Sequence, residues 1–370
     1  MKMWLVIFTV TMIATAFGVL YLASRLYKFG VSRKFTDKRI LAYTFDFMAV
    51  AVLFGVLCAV LNTMNAVVCL IHFTGIWLVC DFAALFFKKA KKHYYAGWTA
   101  IGLSFAVLTA GWILDHGVWA TRYTIASPKV SAPIRIVQFA DSHIGTTFDG
   151  KGFAKHIRTM QAENPDVVVV VGDFVDDDTS RADMVAAAEA LGEMKTKHGV
   201  FFVFGNHDKG YYDPKRRGFT GDDLIAELEK NGVTVLQDET APIRDDIVLI
   251  GRQDAGEKYR GGVRAEMAGL VKGLDRSKYA AVLDHQPNDY KKQAESGVDL
   301  VLSGHTHGGQ IFPLNDVGVW IGANDKTYGF ERRENTDFIV TSGLSDWAIK
   351  FKTGTKSEYV VIDIVPDKNP

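Results

Sequence analysis

The sequence predicts a chain in two parts: four membrane-spanning helices, then a layered α/β (α+β) domain with a sheet core and helices outside it. Three observations lead there. Apolar residues crowd into four long stretches within the first 120 positions, each long enough to cross a hydrocarbon core about 30 Å thick. From residue 134 the pattern becomes strands alternating with helices and then mostly strands, as in a layered sheet domain. Charge is also divided. Residues 1–120 hold 11 of the 42 Lys/Arg and 4 of the 42 Asp/Glu, a balance of +7 that the remainder cancels.

With 48% hydrophobic and 23% charged residues, the chain of 370 is not a disordered one. The acidic part has no basic tract of the kind that grips nucleic acid. All three cysteines (Cys58, Cys69 and Cys80) fall in the apolar part, which excludes a disulfide scaffold and argues against a cysteine zinc site.

The expected spans are 3–24, 40–61, 66–87 and 94–114, all helical because backbone polar groups in lipid must bond within their own segment. A cleavable signal peptide is the rival for the first, but its charged region would be Lys2 alone. Lys/Arg cluster after the first span (25–39) and after the third (88–92), so the positive-inside rule places both loops in the cytoplasm. The N-terminus and everything after the fourth span then lie outside, in a multi-pass plasma-membrane protein. Asp46, His72 and Asp81 within the spans mark either an ion path or polar contacts between packed helices. Cys69 and Cys80 read as small apolar fillers, and His93 and His116 as solvated span ends.

A linker is expected over 121–133, where Pro128 and Pro133 fall, and a second domain over 134–370. Strands are expected at 134–140, 167–171, 200–204, 233–236, 247–250, 280–283, 300–303, 338–341 and 359–365. Helices are expected at 152–163, 182–197 and 222–230.

Carboxylates and imidazoles fall just beyond several of these strands, where an open sheet gathers ligands. They are Asp141-Ser142-His143, Gly172-Asp173 with Asp176, Gly205-Asn206-His207-Asp208, His285, and Gly304-His305-Thr306-His307-Gly308-Gly309. Each alone is weak, but five in this order are not. Oxygen and imidazole donors without thiolate suit hard-to-borderline divalent ions: Mn, Fe, Zn or Mg.

Taken together these motifs resemble the ordered signature of calcineurin-like metallophosphoesterases over residues 134–365, and the ending Gly-His-Thr-His-Gly-Gly-Gln-Ile is similar to the membrane-associated bacterial branch. The resemblance implies a central β-sandwich of mixed sheets flanked by helices, and two divalent metal ions. It assigns Asp141, His143 and His307 to one ion, Asp173 as a bridge, and Asn206, His285 and His305 to the second. It implies hydrolysis by a metal-activated hydroxide, with His207 facing the substrate and Asp176 orienting His207. Asp208 reads as a loop hydrogen-bond acceptor, and Asp177, Asp178, His156 and His198 as surface residues.

The expected partners are the bilayer and a phosphoester, of a lipid or cell-envelope compound in the reading favoured by the topology. Two alternatives stand beside it: a pyrophosphatase of a nucleotide-linked lipid precursor, and a transporter or sensor with a regulatory phosphoesterase domain. The aromatic and basic segment 210–217 is either a contact for a second phosphate or acidic headgroup, or a solvated loop. Trp320, Trp347 and Phe351 are either rim contacts or core.

Overall fold

The computed structural model describes residues 2–87, 94–212 and 214–367. The basic run 88–92, His93 and Asp213 lie outside the described residues. The chain divides into two compact units, one up to Ile113 and the other from Leu114.

Among the described residues the first unit is built of four helices, α1 (Lys2–Phe29), α2 (Arg39–Leu61), α3 (Thr63–Ala84) and α4 (Tyr95–His116), the last of which continues three residues past Ile113. Each is long and apolar enough to cross a membrane. Leu53, Val60, Phe82 and Ile113 are exposed, an apolar surface that suits lipid rather than water. Its small interior joins Tyr21, Leu22, Val50, Leu70, Trp77 and Ala100. The third helix begins three residues before its expected start, because the Asn62 side chain accepts a hydrogen bond from Asn65 N at 3.0 Å and caps it. Of the polar residues in the spans, Asp46 accepts from Ser32 Oγ at 2.7 Å. His72 Nδ1 donates to Val68 O at 2.8 Å within its own helix. Both are local polar contacts.

The second unit holds two six-stranded sheets. Its strands are β1 (Val118–Ser127), β2 (Ile134–Phe139), β3 (Val167–Val171), β4 (Val200–Val203), β5 (Val233–Val235), β6 (Glu239–Arg244), β7 (Ile247–Gly251), β8 (Tyr279–Leu283), β9 (Leu300–Ser303), β10 (Gly329–Arg333), β11 (Thr336–Val340) and β12 (Ser357–Pro366). The sheet orders are β1-β12-β2-β3-β4-β5 and β10-β11-β9-β8-β7-β6, with parallel and antiparallel pairs in both.

Side-chain alternation explains the layering. In β3 the five consecutive valines are all buried. Val167, Val169 and Val171 meet Leu249, Leu283 and Leu302 between the sheets. Val168 and Val170 point the other way, onto Phe153, Met184 and Leu224. Those three sit on α5 (Gly150–Gln161), α6 (Arg181–Gly192) and α7 (Gly221–Lys230). A strand covered on both faces reads as a continuous apolar run. The outer face of the second sheet is covered in turn by Met267, Val271 and Tyr290.

One expected boundary is corrected. The linker expected at 121–133 is largely strand: β1 runs to Ser127 and pairs with β12 over ten residues in parallel register. Its β-branched and aromatic residues (Val118, Trp119, Thr121, Tyr123, Thr124, Ile125) outweigh the breaking effect of Pro128, which stands just beyond the strand.

Candidate metal centre

Five strands deliver the site residues from their C-terminal ends. Asp141, Asp173, His285 and His305 each stand two residues past the ends of β2, β3, β8 and β9, and Asn206 three past β4. Because β2, β3 and β4 are parallel in one sheet, and β8 and β9 in the other, all five ends open on the same side.

The turns after these strands are strained. Asp141, His143, Asp173, His305 and His307 all have φ between 38° and 72°, a left-handed region costly for residues with a Cβ and concentrated at functional sites. Two neighbours make such turns possible. A Cβ on Gly205 would collide with Asp173 Oδ1, and one on Gly304 would lie 2.5 Å from Asp141 Oδ2. Asp208 holds two of the loops together. Its carboxylate accepts from the backbone N–H of Asp173, Phe174, Val175 and Gly205 at 2.6–3.0 Å, so it is a loop acceptor and not a ligand.

The ligand atoms fall into two groups, Asp141–His143–His307 and Asp173–His285–His305, with the atoms of each within 4.8 Å of one another. Asp173 faces both groups, since its Oδ2 is 3.1 Å from His285 Nε2 and 3.8 Å from His143 Nε2. Hydrogen bonds fix the tautomers. His143 Nδ1 donates to Asp176 Oδ2 (3.2 Å), His285 Nδ1 to Val171 O (2.8 Å) and His307 Nδ1 to Ser345 O (3.1 Å). Each ring therefore turns its Nε2 inward, the arrangement in which an outer oxygen orients a metal-bound imidazole. His143 Nε2 and Asn206 Oδ1 are buried and make no hydrogen bond among the described residues. Asn206 Nδ2 is occupied by Tyr211 Oη at 2.8 Å, which leaves its oxygen for the centre. Inward imidazole nitrogens beside carboxylates suit a cation among them. The donor set and the orphaned atoms fit two divalent ions.

The packed charges also shift one another's ionisation. Burial alone would raise Asp173, yet His285 and His207 hold it well below the usual carboxylate range. Burial would lower His285, but Asp173 drives it well up. Burial pushes Asp141 up to about 6, and burial with His285 pushes His305 down to about 3.

His207 belongs to neither group. Its backbone N–H donates to Asp173 Oδ1 at 2.8 Å, and its ring lies 5.1 Å from that of His143. Tyr211 and Trp347, 57% and 50% exposed, flank it with ring centres 5.0 and 5.2 Å away and form the mouth. Asp176 corrects an expectation: it does not orient His207, because its carboxylate is taken by His143 Nδ1 and Asp178 N.

Residues 134–309 match the family model described as calcineurin-like phosphoesterase. An uncharacterized metallophosphoesterase of Aquifex aeolicus is 34% identical over 194 residues, 52% of this chain and 70% of that one. The chain belongs to the calcineurin-like phosphoesterase family. A transmembrane protein with metallophosphoesterase domain from Danio rerio is 33% identical over 244 residues, 62% of this chain and 53% of that protein. An uncharacterized metallophosphoesterase of Campylobacter jejuni is 29% identical over 237 residues, covering 64% and 60%. The match thus spans little more than half the length of these two relatives.

Around this calcineurin-like centre stand residues that motif reading missed. Lys352, fully buried, donates to Ser342 O at 2.7 Å and Ser345 O at 3.3 Å, and Ser345 O in turn holds His307. Lys352→Met should therefore lower the melting temperature and weaken the group containing His307 toward metal about tenfold, the low end for lost outer support. Metal titration of the purified variant checks this, and unchanged affinity would remove Lys352 from the support of the centre. A lone lysine carries no motif, so only the fold reveals it.

Two cations of the basic segment, Arg216 and Arg217, have partners in the domain. Arg217 is buried and donates to Phe219 O and Asp176 O, while Arg216 pairs with Asp178 at 3.0 Å. Both arginines are engaged within the domain. Phe351 is core, whereas Trp320 and Trp347 are exposed.

Proposed function

We propose that this chain is a multi-pass membrane phosphoesterase that hydrolyses a phosphomonoester or phosphodiester of a lipid or cell-envelope compound, its catalytic unit outside the cytoplasm. The observation that carries the reading is Asp173 standing between two groups of inward-facing donors, 3.1 Å from His285 and 3.8 Å from His143. Asp141, His143 and His307 would hold one ion, and Asn206, His285 and His305 the other, with Asp173 shared. Two divalent ions so held supply charge neutralisation for phosphate oxygens and an acidified water.

The chain's own residues do the rest. His207 lies outside both groups and faces the mouth, where it can hold a proton for the leaving oxygen. Tyr211 and Trp347 offer apolar faces to the alcohol part of the ester. Phe312, Leu314, Trp320 and Ile321, in the segment after His307, are all exposed, which favours an amphiphilic substrate over a fully polar one. With Arg216 and Arg217 engaged elsewhere, a dedicated grip on a second phosphate has less support, and so has the nucleotide-linked pyrophosphatase.

The test is an assay of the purified protein against a panel of envelope lipids and soluble phosphoesters with Mn, Zn, Fe and Mg each supplied. Turnover is expected for a lipid phosphoester with at least one of these metals. Absence of turnover across the panel would overturn the reading.

Location gives a separate prediction. Reporter fusions at Lys38 and Lys89 should signal the cytoplasm and a fusion after Pro370 the outside, because positive charge near span ends resists translocation. A cytoplasmic signal from the Pro370 fusion would refute the topology and restore the nucleotide-linked substrate.

A further inference from the structure

The helical unit contains a charged cavity that no catalytic step uses. It has a volume of about 590 Å³ and is lined by Tyr21, Arg25 and Lys28 on one side and by Leu78, Asp81, Phe82, Leu85 and Tyr94 on the other. Asp81 is its centre. Its Oδ2 lies 2.8 Å from Arg25 Nε and 3.3 Å from Lys28 Nζ, and accepts from Tyr21 Oη at 3.1 Å. Its Oδ1 accepts from Tyr94 Oη at 2.9 Å, and Trp77 Nε1 donates to the same Tyr94 oxygen at 2.7 Å. The cations are further cradled by rings: the Arg25 guanidinium is 4.3 Å from the centre of Tyr21, and the Lys28 ammonium 4.7 Å from that of Tyr94.

Two features decide what such a cavity takes. Among the described residues one carboxylate answers two cations, so the polar end keeps a positive excess. The opposite wall is apolar and runs outward, since Leu78, Phe82 and Leu85 are 40%, 64% and 77% exposed. A cationic end joined to an outward apolar wall matches an anionic headgroup with an acyl chain attached. Basic pockets between membrane helices on the cytoplasmic side bind such lipids, and Arg in particular forks onto phosphate oxygens. We propose that the Arg25–Lys28–Asp81 cavity binds the phosphate of an anionic phospholipid. The site is independent of the phosphoesterase reading, and its cytoplasmic side rests on the proposed topology.

The alternative is that Asp81 merely ties α1 to α3, and one variant separates the two. Full-length protein in maltoside micelles is offered phosphatidylglycerol or phosphatidylcholine, and retained lipid is counted by native mass spectrometry. Phosphatidylglycerol should be retained in preference. Arg25→Gln and Lys28→Gln should each weaken retention about fivefold, the scale of one surface cation on an anionic lipid. Asp81→Asn should strengthen it, because phosphate then takes the place of the carboxylate. Arg25→Lys keeps the charge and should keep the lipid, which controls for misfolding. Equal retention of the two lipids, or Asp81→Asn losing lipid together with the cation variants, would overturn the proposal. Displacement of the lipid by millimolar inorganic phosphate would overturn it in favour of free phosphate.

Discussion

Asp173→Asn should abolish turnover and leave the protein with one bound metal ion or none. The carboxylate has two separate duties. Oδ1 accepts the His207 N–H at 2.8 Å and so holds the Gly205–Asp208 loop in place. Oδ2 faces His285 Nε2 and His143 Nε2 at 3.1 and 3.8 Å, which puts its negative charge where both groups of donors meet. An amide keeps the shape and can keep the loop bond, but it carries no charge. Loss of the shared anion removes several kcal/mol of electrostatic stabilisation, on the order of a thousandfold or more in rate. Elemental analysis of the purified variant, alongside the assay, reads both consequences. Near-normal activity with two ions still bound would sink the two-metal assignment. The fold should survive, because the core on either side of β3 is untouched.

Much of this centre was legible because its donors follow strands. A five-valine strand ending in Gly172-Asp173 announces both its burial and its exit loop, and the parallel pairing of β2, β3 and β4 turns sequence order into spatial neighbourhood. What could not be read were contacts that depend on register between distant strands. Asp176 lies three positions after Asp173, which says nothing about whether it meets His143 or His207; the strained turn at His143, with φ 38°, decides for His143. Lys352 meets Ser345 across a loop of irregular backbone, where no periodicity operates. Among the edge strands β5 was legible, but β10 was hidden. Gly329-Phe330-Glu331-Arg332-Arg333 of β10 is rich in charge, as edges must be to avoid pairing with another chain, and charge masks the apolar signal that identifies inner strands. α6 ends at Gly192, five residues before its expected end, and close packing on Asn231 O leaves no room there for a Cβ, which would lie 2.6 Å away.

His207→Ala should lower turnover by roughly two to four orders of magnitude, the usual scale for a general acid or base, while metal content stays at two ions. The separation of effects follows from geometry. His207 contributes its backbone N–H to Asp173, and alanine retains that bond, so the loop and the shared carboxylate remain. Its ring stands outside both groups of donors, between His143 on the inner side and Tyr211 and Trp347 at the mouth. Burial lowers its pKa, and the Asp173 and Asp176 carboxylates oppose that shift. Asp176→Asn offers the contrast. Its bond runs to His143 Nδ1, so it should weaken the Asp141–His143–His307 group toward metal by about 10–100-fold, and added metal should restore the rate. No amount of metal should rescue His207→Ala. Loss of an ion from the His207 variant, or a rate restored by metal, would make His207 a ligand and overturn its assignment as the group that handles the proton.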